Sequence, residues 1–472
     1  MTDRGACDVA VIGGGPGGST VASFLARQGF DVTVFERARM PRDHVGESLL
    51  PFCYGIFEEL GILEEMTRRY VRKPGVRFLD VDGTTATTWC FGHKIDNPSY
   101  LSFHVLRSEF DELLLEHAAA EGAVVHQETR VVGVDLDGPA ADGVAVRFSG
   151  PDGDGEVRAR FVIDASGRDT FLANRLGTKT AHKELERTAL GSHWVDVDYE
   201  GGLNEGLLQI VYTGGEKQGW IWVIPLSTNR VSLGVVMNTS YYKRQRTVLK
   251  GQGIDDWKLA LYRQEIMASP FIREITDGAT QIWDVIVNGD YSYTVDSKWG
   301  DRHALVGDAS AFIDPIFSSG VYLAMNSGRL LADAVATRLN DGVAAGAEAM
   351  GEIYGRISGA YALVDKLIRL FYTPEALNFA QLGSAEAAFA DHDHFVNAMS
   401  LQHFLLAGDF FEQNARYSDF VDQLRDPKLF HRYQRYVIQR DDFVASTCEH
   451  LHDQVFPASL AEHDERRARL GI

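Results

Sequence analysis

Apolar and polar positions along the chain change period several times, and each change predicts a different element. Val9–Ile12 is an unbroken apolar run, the pattern of a strand buried on both faces. "STVASFLARQG" then has helical periodicity and stops at Gly29, and Asp31–Phe35 returns to a strand that ends in Glu36. Two later runs each end in a small polar loop. "FVIDASGRDT" delivers Asp164 to Arg168, and "HALVGDASAFIDP" delivers Gly307, Asp308 and Ala309. Residues 176–285 are rich in alternating strands ("LLQIVYT", "WIWVIPL", "RVSLGVVM"), which predict an antiparallel sheet, and residues 73–100 join it. From about residue 322 the period becomes helical.

Between the first strand and the first helix, Gly13, Gly15 and Gly18 have the G-x-G-x-x-G spacing of a dinucleotide-binding unit. Gly13 permits the tight turn, Gly15 lets backbone approach a pyrophosphate, and Gly18 allows close helix–strand packing. The helix N-terminus offers unpaired N–H groups to the diphosphate, and Glu36 is placed to accept from ribose hydroxyls. No second strand–glycine–helix unit follows: "GGLNEG" and "GGEKQG" lack both flanking elements. Reducing equivalents must therefore reach the protein by a route other than a dedicated nicotinamide domain.

The fold expected is α/β, with a Rossmann-like (GxGxxG) nucleotide domain assembled from residues 1–175 and 286–344. An inserted antiparallel β-sheet substrate domain spans 176–285, with 73–100 contributing, and a helical C-terminal region spans 345–472. A net charge of −20 argues against nucleic acid and anionic membrane surfaces as partners. Cys7, Cys53, Cys90 and Cys448 are too scattered for a disulfide framework or a zinc site, which fits a reducing cytoplasm. No apolar stretch approaches the roughly 18–20 residues of a membrane span. Asp391–His394 alternate acid and imidazole as a solvated loop does, and no metal is expected.

The scattered loops ending in Asp164–Arg168 and Gly307–Ala309 resemble those of the flavoprotein monooxygenases, whose extended FAD they contact. That resemblance implies that Asp308 binds the ribityl chain and that Arg107, in "HVLRSEFDELLLEHA", reaches FAD. Trp220 and Trp222, taken alone, read as large core residues. Their setting, Trp220-Ile221-Trp222-Val223-Ile224-Pro225, matches the W-x-W-x-I-P signature of the flavin-dependent halogenases. "GES" at Gly46-Glu47-Ser48, Lys73 at the position of the family's lysine, and Asp314–Val321 ("DPIFSSGV") resemble that family too. Together these motifs extend over roughly residues 8–375.

The resemblance implies a phenol- or pyrrole-type halogenase that uses FADH2 from a separate NADH-dependent flavin reductase, together with O2 and chloride or bromide. In that family a flavin C4a-hydroperoxide oxidises halide to hypohalous acid, which travels internally to the lysine, here Lys73. Trp220, Trp222 and Pro225 would wall the route, Ser319 and Gly320 would hold the halide, and Glu47, Ser48 and Pro315 would lie against the flavin. Phe317 stands where tryptophan halogenases carry a glutamate. That departure points to an electron-rich aromatic, phenolic or pyrrolic, free or tethered to an acyl carrier. His93 and His193 are available as substrate bases, and nothing in the sequence chooses between them. The alternatives are an FAD-dependent aromatic hydroxylase of the same fold, a flavin-dependent reductase of isoprenoid chains, and a non-catalytic flavin scaffold.

Overall fold

The computed structural model describes residues 2–138, 143–199, 201–289, 292–373, 379–380, 404–425, 448, 452–461 and 463–464. The Asp391–His394 run lies outside them, and no metal-capable cluster occurs among the described residues. The first strand, Thr2–Ile12, pairs in parallel with Val32–Phe35 on one side and Gly153–Asp164 on the other. His303–Leu305 extends the same parallel array. Registers of Ile12 with Phe35 and with Asp164, and of Asp164 with Leu305, bring four strand ends to one edge of the sheet. Ligands bind at such an edge in open α/β sheets, because the loops that follow parallel strands converge there.

The helix Pro16–Arg27 begins at that edge, with Pro16 in its first turn where its missing N–H costs nothing. It packs closely against the helix Ser319–Asp341 through glycine. A Cβ on Gly328 would sit 2.8 Å from the Gly17 carbonyl oxygen, so the contact requires two bare backbones.

The second large sheet runs Thr280–Gln281, Arg187–Val195, Arg230–Asn238, Gly219–Pro225, Leu208–Thr213, Gly75–Leu79 and Ala86–Cys90, with Ile286–Gly289 also paired to Arg187–Val195. Gly75–Leu79 joins it in parallel with Leu208–Thr213, while most of the sheet is antiparallel. Both faces are covered. Trp220, Trp222 and Ile224 pack with the nucleotide domain, whereas Ile221 and Val223 pack beneath Leu261, Tyr262 and Ile272. Those last residues belong to helices at Trp257–Ile266 and Pro270–Ile275 which, with Thr239–Gly251, interrupt the stretch expected to be strands. The outer face of the sheet is apolar and needs a cover, and these helices supply it.

The C-terminal region returns to the substrate side. The long helix Val343–Phe371 packs against Ser319–Asp341, and Val455, Phe456 and Leu460 bury against Val71. Cys448 forms a disulfide with Cys90, 358 residues away. This corrects the expectation of four unpaired thiols, and with it the argument for a reducing cytoplasm. Sequence spacing is blind to a pair that only the returning chain brings together. No helix among the described residues is long and apolar enough to cross a membrane.

Titration of the denatured protein with a thiol reagent is expected to count two groups, Cys7 and Cys53, before reduction and all four cysteines after it. Four reactive thiols without reductant would remove the bridge.

Candidate functional site

The glycine turn has the geometry its spacing predicts. Gly13 adopts φ +103°, and a Cβ there would lie 2.4 Å from the Ala165 carbonyl oxygen. A Cβ on Gly18 would lie 2.0 Å from the Gly13 oxygen, so this glycine serves helix–strand packing. Gly15, the N-cap of the helix, is open: its nearest neighbour is Arg42 Nη2 at 3.6 Å from a built Cβ. Glu36 is buried, and its two carboxylate oxygens accept from the N–H groups of Gly14 and Ala38, both at 2.8 Å. Each oxygen retains a second acceptor site for a ligand hydroxyl.

These residues open onto a cavity of about 740 Å³. Gly13, Gly15 and Glu36 line one part of it, and Arg107, Asp308, Pro315, Ser319 and Gly320 also line it. The residues fit FAD: a glycine cradle at a helix N-terminus suits a diphosphate, an acid beside it suits a ribose, and apolar walls suit a ring system. Burial pushes the Asp308 carboxyl up to about 7, against the opposing pull of Arg168 and Arg107.

Trp220 and Trp222 line the same cavity from the second sheet, their ring centroids 5.8 Å apart. Trp222 lies over two glycines. A Cβ on Gly234 or Gly191 would meet its ring at 2.1 or 2.6 Å. Trp220 Nε1 donates to the Tyr372 hydroxyl at 2.9 Å, which donates to Asp314 Oδ2 at 2.8 Å. Asp314 also caps the turn before Ser319 by accepting from the Ile316 N–H at 3.0 Å. Burial lifts its carboxyl to about 6, with the Tyr372 hydrogen bond opposing. Pro225, expected in the wall, does not line the cavity: it ends the strand, paired with Val231. Phe317 also lies outside the lining and packs edge-on to Phe371, with Phe379 at 5.7 Å.

Arg107, expected to reach FAD, lines the cavity and is also held by partners within the protein. Its Nε and Nη2 grip Asp111 at 2.8 and 3.0 Å, and its Nη1 donates to the carbonyls of Val45 and Gly46 at 2.7 and 3.3 Å. Burial pushes the Asp111 carboxyl up, but Arg107, with Arg42, more than offsets it and holds the group below its usual range. Arg107 is thus both cavity wall and anchor of the Gly46-Glu47-Ser48 loop.

Glu47 and Ser48 line the cavity, and Glu47 Oε1 pairs with His193 Nε2 at 2.8 Å. Arg230 Nε donates to His193 Nδ1 at 3.1 Å. Arginine only donates, so Nδ1 accepts and the imidazole proton sits on Nε2, directed at Glu47. The ring stacks on Trp283 at 3.6 Å. Of the two histidines singled out, His193 is therefore committed to this buried arrangement, and His93 is exposed. Arg230 and Trp283 carried no signal in the sequence.

Lys73 is 1% exposed and does not line the cavity. Its Nζ donates to the carbonyl of Leu49 at 3.0 Å, the residue that directly follows the cavity-lining Glu47 and Ser48. Burial lowers its amine to about 7, with a small opposing effect from Cys53. Among the described residues no carboxylate pairs with it, and the Phe91 ring is 5.6 Å away.

A family model described as an FAD binding domain matches residues 6–349. The chain is 30% identical over 344 residues to the 1H-pyrrole-2-carbonyl-[peptidyl-carrier protein] chlorinase of Pseudomonas fluorescens, covering 68% of this chain and 74% of that protein. The chain belongs to the flavin-dependent halogenases. It is also 34% identical over 335 residues to the tryptophan 2-halogenase of Chondromyces crocatus, covering 69% of this chain and 60% of that one. The myxobacterial chondrochloren halogenase CndH superposes with a TM-score of 0.70 at 29% identity, covering 89% of this chain and 97% of its own. The halogenase chain spans about 60% of the length of the tryptophan 2-halogenase and of an Armillaria mellea relative, armH5.

In this halogenase, Arg107→Lys keeps the charge but loses the two-pronged grip on Asp111 and the loop carbonyls. FAD affinity is expected to fall by about 10-fold or more. Titration by flavin fluorescence checks this, and an unchanged dissociation constant would show that the anchor is dispensable.

Proposed function

We propose that the protein is an FADH2-dependent halogenase that chlorinates or brominates an electron-rich aromatic, with Lys73 as its catalytic residue. The observation that carries this reading is the placement of Lys73. It is buried, its amine is lowered to about 7, and its anchor is one extended segment from the wall of the flavin cavity. Bound reduced FAD, with dioxygen, supplies the oxidising power that turns halide into hypohalous acid. The chain's own residues do the rest.

The halide is held by the first N–H groups of the helix that opens at Ser319 and Gly320, where backbone donors are unpaired and the Asp314 carboxyl of the preceding turn is engaged by the Ile316 N–H and the Tyr372 hydroxyl. Trp220 and Trp222 keep the aromatic substrate off the flavin, which separates halogenation from direct hydroxylation. Tyr372 and Asp314 fix the Trp220 indole in that position. Lys73 then presents an amine whose lone pair burial makes available near neutral pH, the condition for a nucleophile that can carry halogen.

Phe317 supports a phenolic or pyrrolic substrate. Its ring sits in an aromatic group with Phe371 and Phe379, so no carboxylate at that position assists an electron-poor ring. The pyrrole-carrier chlorinase among the relatives is in keeping with this class and with a carrier-tethered substrate. A separate flavin reductase is the partner this scheme requires.

Purified protein supplied with FAD, NADH, a flavin reductase, oxygen and bromide should brominate members of a phenol and pyrrole panel, read by mass spectrometry. Lys73→Ala should lose roughly 100-fold of that product while flavin oxidation continues. Hydroxylated, bromine-free products insensitive to the mutation would assign the hydroxylase chemistry instead.

The pH profile tests the form of the amine. Burial lowers the Lys73 value from 10.5 to about 7, so the neutral form grows as pH rises through about 7. Brominated product per flavin oxidised is expected to rise across that window and then level off. A fall across the same window would identify the ammonium as the working form.

A further inference from the structure

Behind the cavity wall, three extended segments lie side by side. Ser48 bridges His104 in antiparallel fashion, with Leu49 N donating to Phe103 O at 2.9 Å and Val105 N to Glu47 O at 2.7 Å. On the far edge of the central segment, Val71 pairs with His104 and Lys73 with Ser102. Directly opposed residues of antiparallel strands project on one face, and residues two apart along a strand share it. Ser48, His104, Ser102 and Lys73 therefore occupy a single face. Arg72 and Phe103 take the other, where the guanidinium lies 4.5 Å from the ring centroid.

All four side chains are at most 5% exposed. His104 Nε2 pairs with the Gly206 carbonyl at 2.9 Å. A carbonyl only accepts, so the proton is on Nε2 and Nδ1 presents a lone pair. Among the described residues that lone pair has no partner, and neither do the hydroxyls of Ser48 and Ser102. Lys73 hydrogen-bonds the Leu49 carbonyl and has further N–H donors beyond that bond. Buried polar atoms are nearly always paired, so three unpaired ones beside a lysine call for an occupant. Burial, reinforced by Lys73, holds the His104 imidazole well below its ordinary value, so it stays a neutral acceptor.

We propose that this face is the binding site for hypohalous acid, with His104 Nδ1 accepting its O–H and Lys73 Nζ donating to its oxygen. The inference rests on the halogenase reading above. The acid offers one O–H donor and an acceptor oxygen, and lysine's N–H groups satisfy only the oxygen. His104 supplies the missing acceptor. The two hydrogen bonds hold the oxygen end and leave the halogen as the free, electrophilic end. Ser48 touches both sides, since it lines the cavity and stands opposite His104, and it is the first polar contact for acid leaving the flavin side.

Two substitutions separate this role from a structural one. His104→Gln keeps an N–H that reaches the Gly206 carbonyl and removes the acceptor at the Nδ1 position; His104→Asn places its amide oxygen where Nδ1 stood. With bromide and a responsive phenol, His104→Gln is expected to make about tenfold less brominated product per flavin oxidised. A dissolved β-diketone scavenger should then be brominated in proportion, at unchanged flavin oxidation, and His104→Asn should recover most of the coupling. Equal losses in both variants with lowered melting temperature, or full coupling in His104→Gln, would overturn the proposal. Lys73→Ala, run alongside, distinguishes the two levels. Retained bromination there sinks the catalytic role of Lys73 and this site with it, lost bromination there with intact His104→Gln sinks the site alone, and a wild-type protein that makes no brominated product sinks the halogenase reading itself. In the FAD-free protein, nitrogen-15 shifts of His104 should report the Nε2–H tautomer, and a proton on Nδ1 would rule the acceptor out.

Discussion

The short extended segment Glu47–Leu49 is the constraint on which the rest of the site depends. One side of it faces the flavin cavity through Glu47 and Ser48, and its Leu49 carbonyl holds Lys73 on the other. In the proposed scheme a diffusible oxidant is made in one place and used in another, which needs a partition that is thin, polar in selected places and unable to drift. This segment meets the first need by being a single strand thick. It meets the last by pairing with Phe103 and Val105 and by the Arg107 anchor on the two carbonyls before it.

Keeping such a partition in place requires charges to be taken out of water, which is unfavourable unless each is fully paired. Arg107 and Asp111 do this two-pronged, four residues apart on one helix. Glu47 does it across the domains, through a neutral His193 oriented by Arg230 and stacked on Trp283. The lysine is treated in the opposite way. With no carboxylate paired to it among the described residues, desolvation outweighs the opposing effect of Cys53 and the amine loses basicity. The burial that pairing offsets for Asp111 therefore lowers the basicity of the lysine.

The second sheet contributes a wall whose position is set by three distant parts of the chain. Trp220 comes from the sheet, Tyr372 from just beyond the long C-terminal helix, and Asp314 from the turn that opens the helix Ser319–Asp341. Trp222 is held differently, its ring lying over the bare Gly191 and Gly234 while its Nε1 donates to Ser232 Oγ at 3.0 Å. Both tryptophans are therefore core residues and cavity lining at once. The two readings of the W-x-W pattern were never exclusive, because a strand buried between two domains must pack and can still border a cavity.

The glycine turn, Glu36, the Asp308 loop and the pair of tryptophans were legible in the sequence because each is a local matter. A glycine turn, an alternating strand or an acid at a strand end is specified by residues within a few positions, and short-range sterics and periodicity enforce it. The resemblance marked Lys73, but only burial by the fold gives its amine a lowered basicity. The partners of that machinery were invisible for the corresponding reason. His193 meets Glu47 across 146 residues, Tyr372 meets Trp220 across 152, and Cys448 meets Cys90 across 358. Arg107 was read as a cofactor ligand and proves also to be a loop anchor, and Pro225 was read as wall and lies outside it. His104 passed unnoticed because one histidine in an apolar strand looks like core. The sequence by itself determined which elements form and what ends each of them. Tertiary structure alone decided which side chains are desolvated together, because removal from water depends on neighbours that the chain reaches only by folding back on itself.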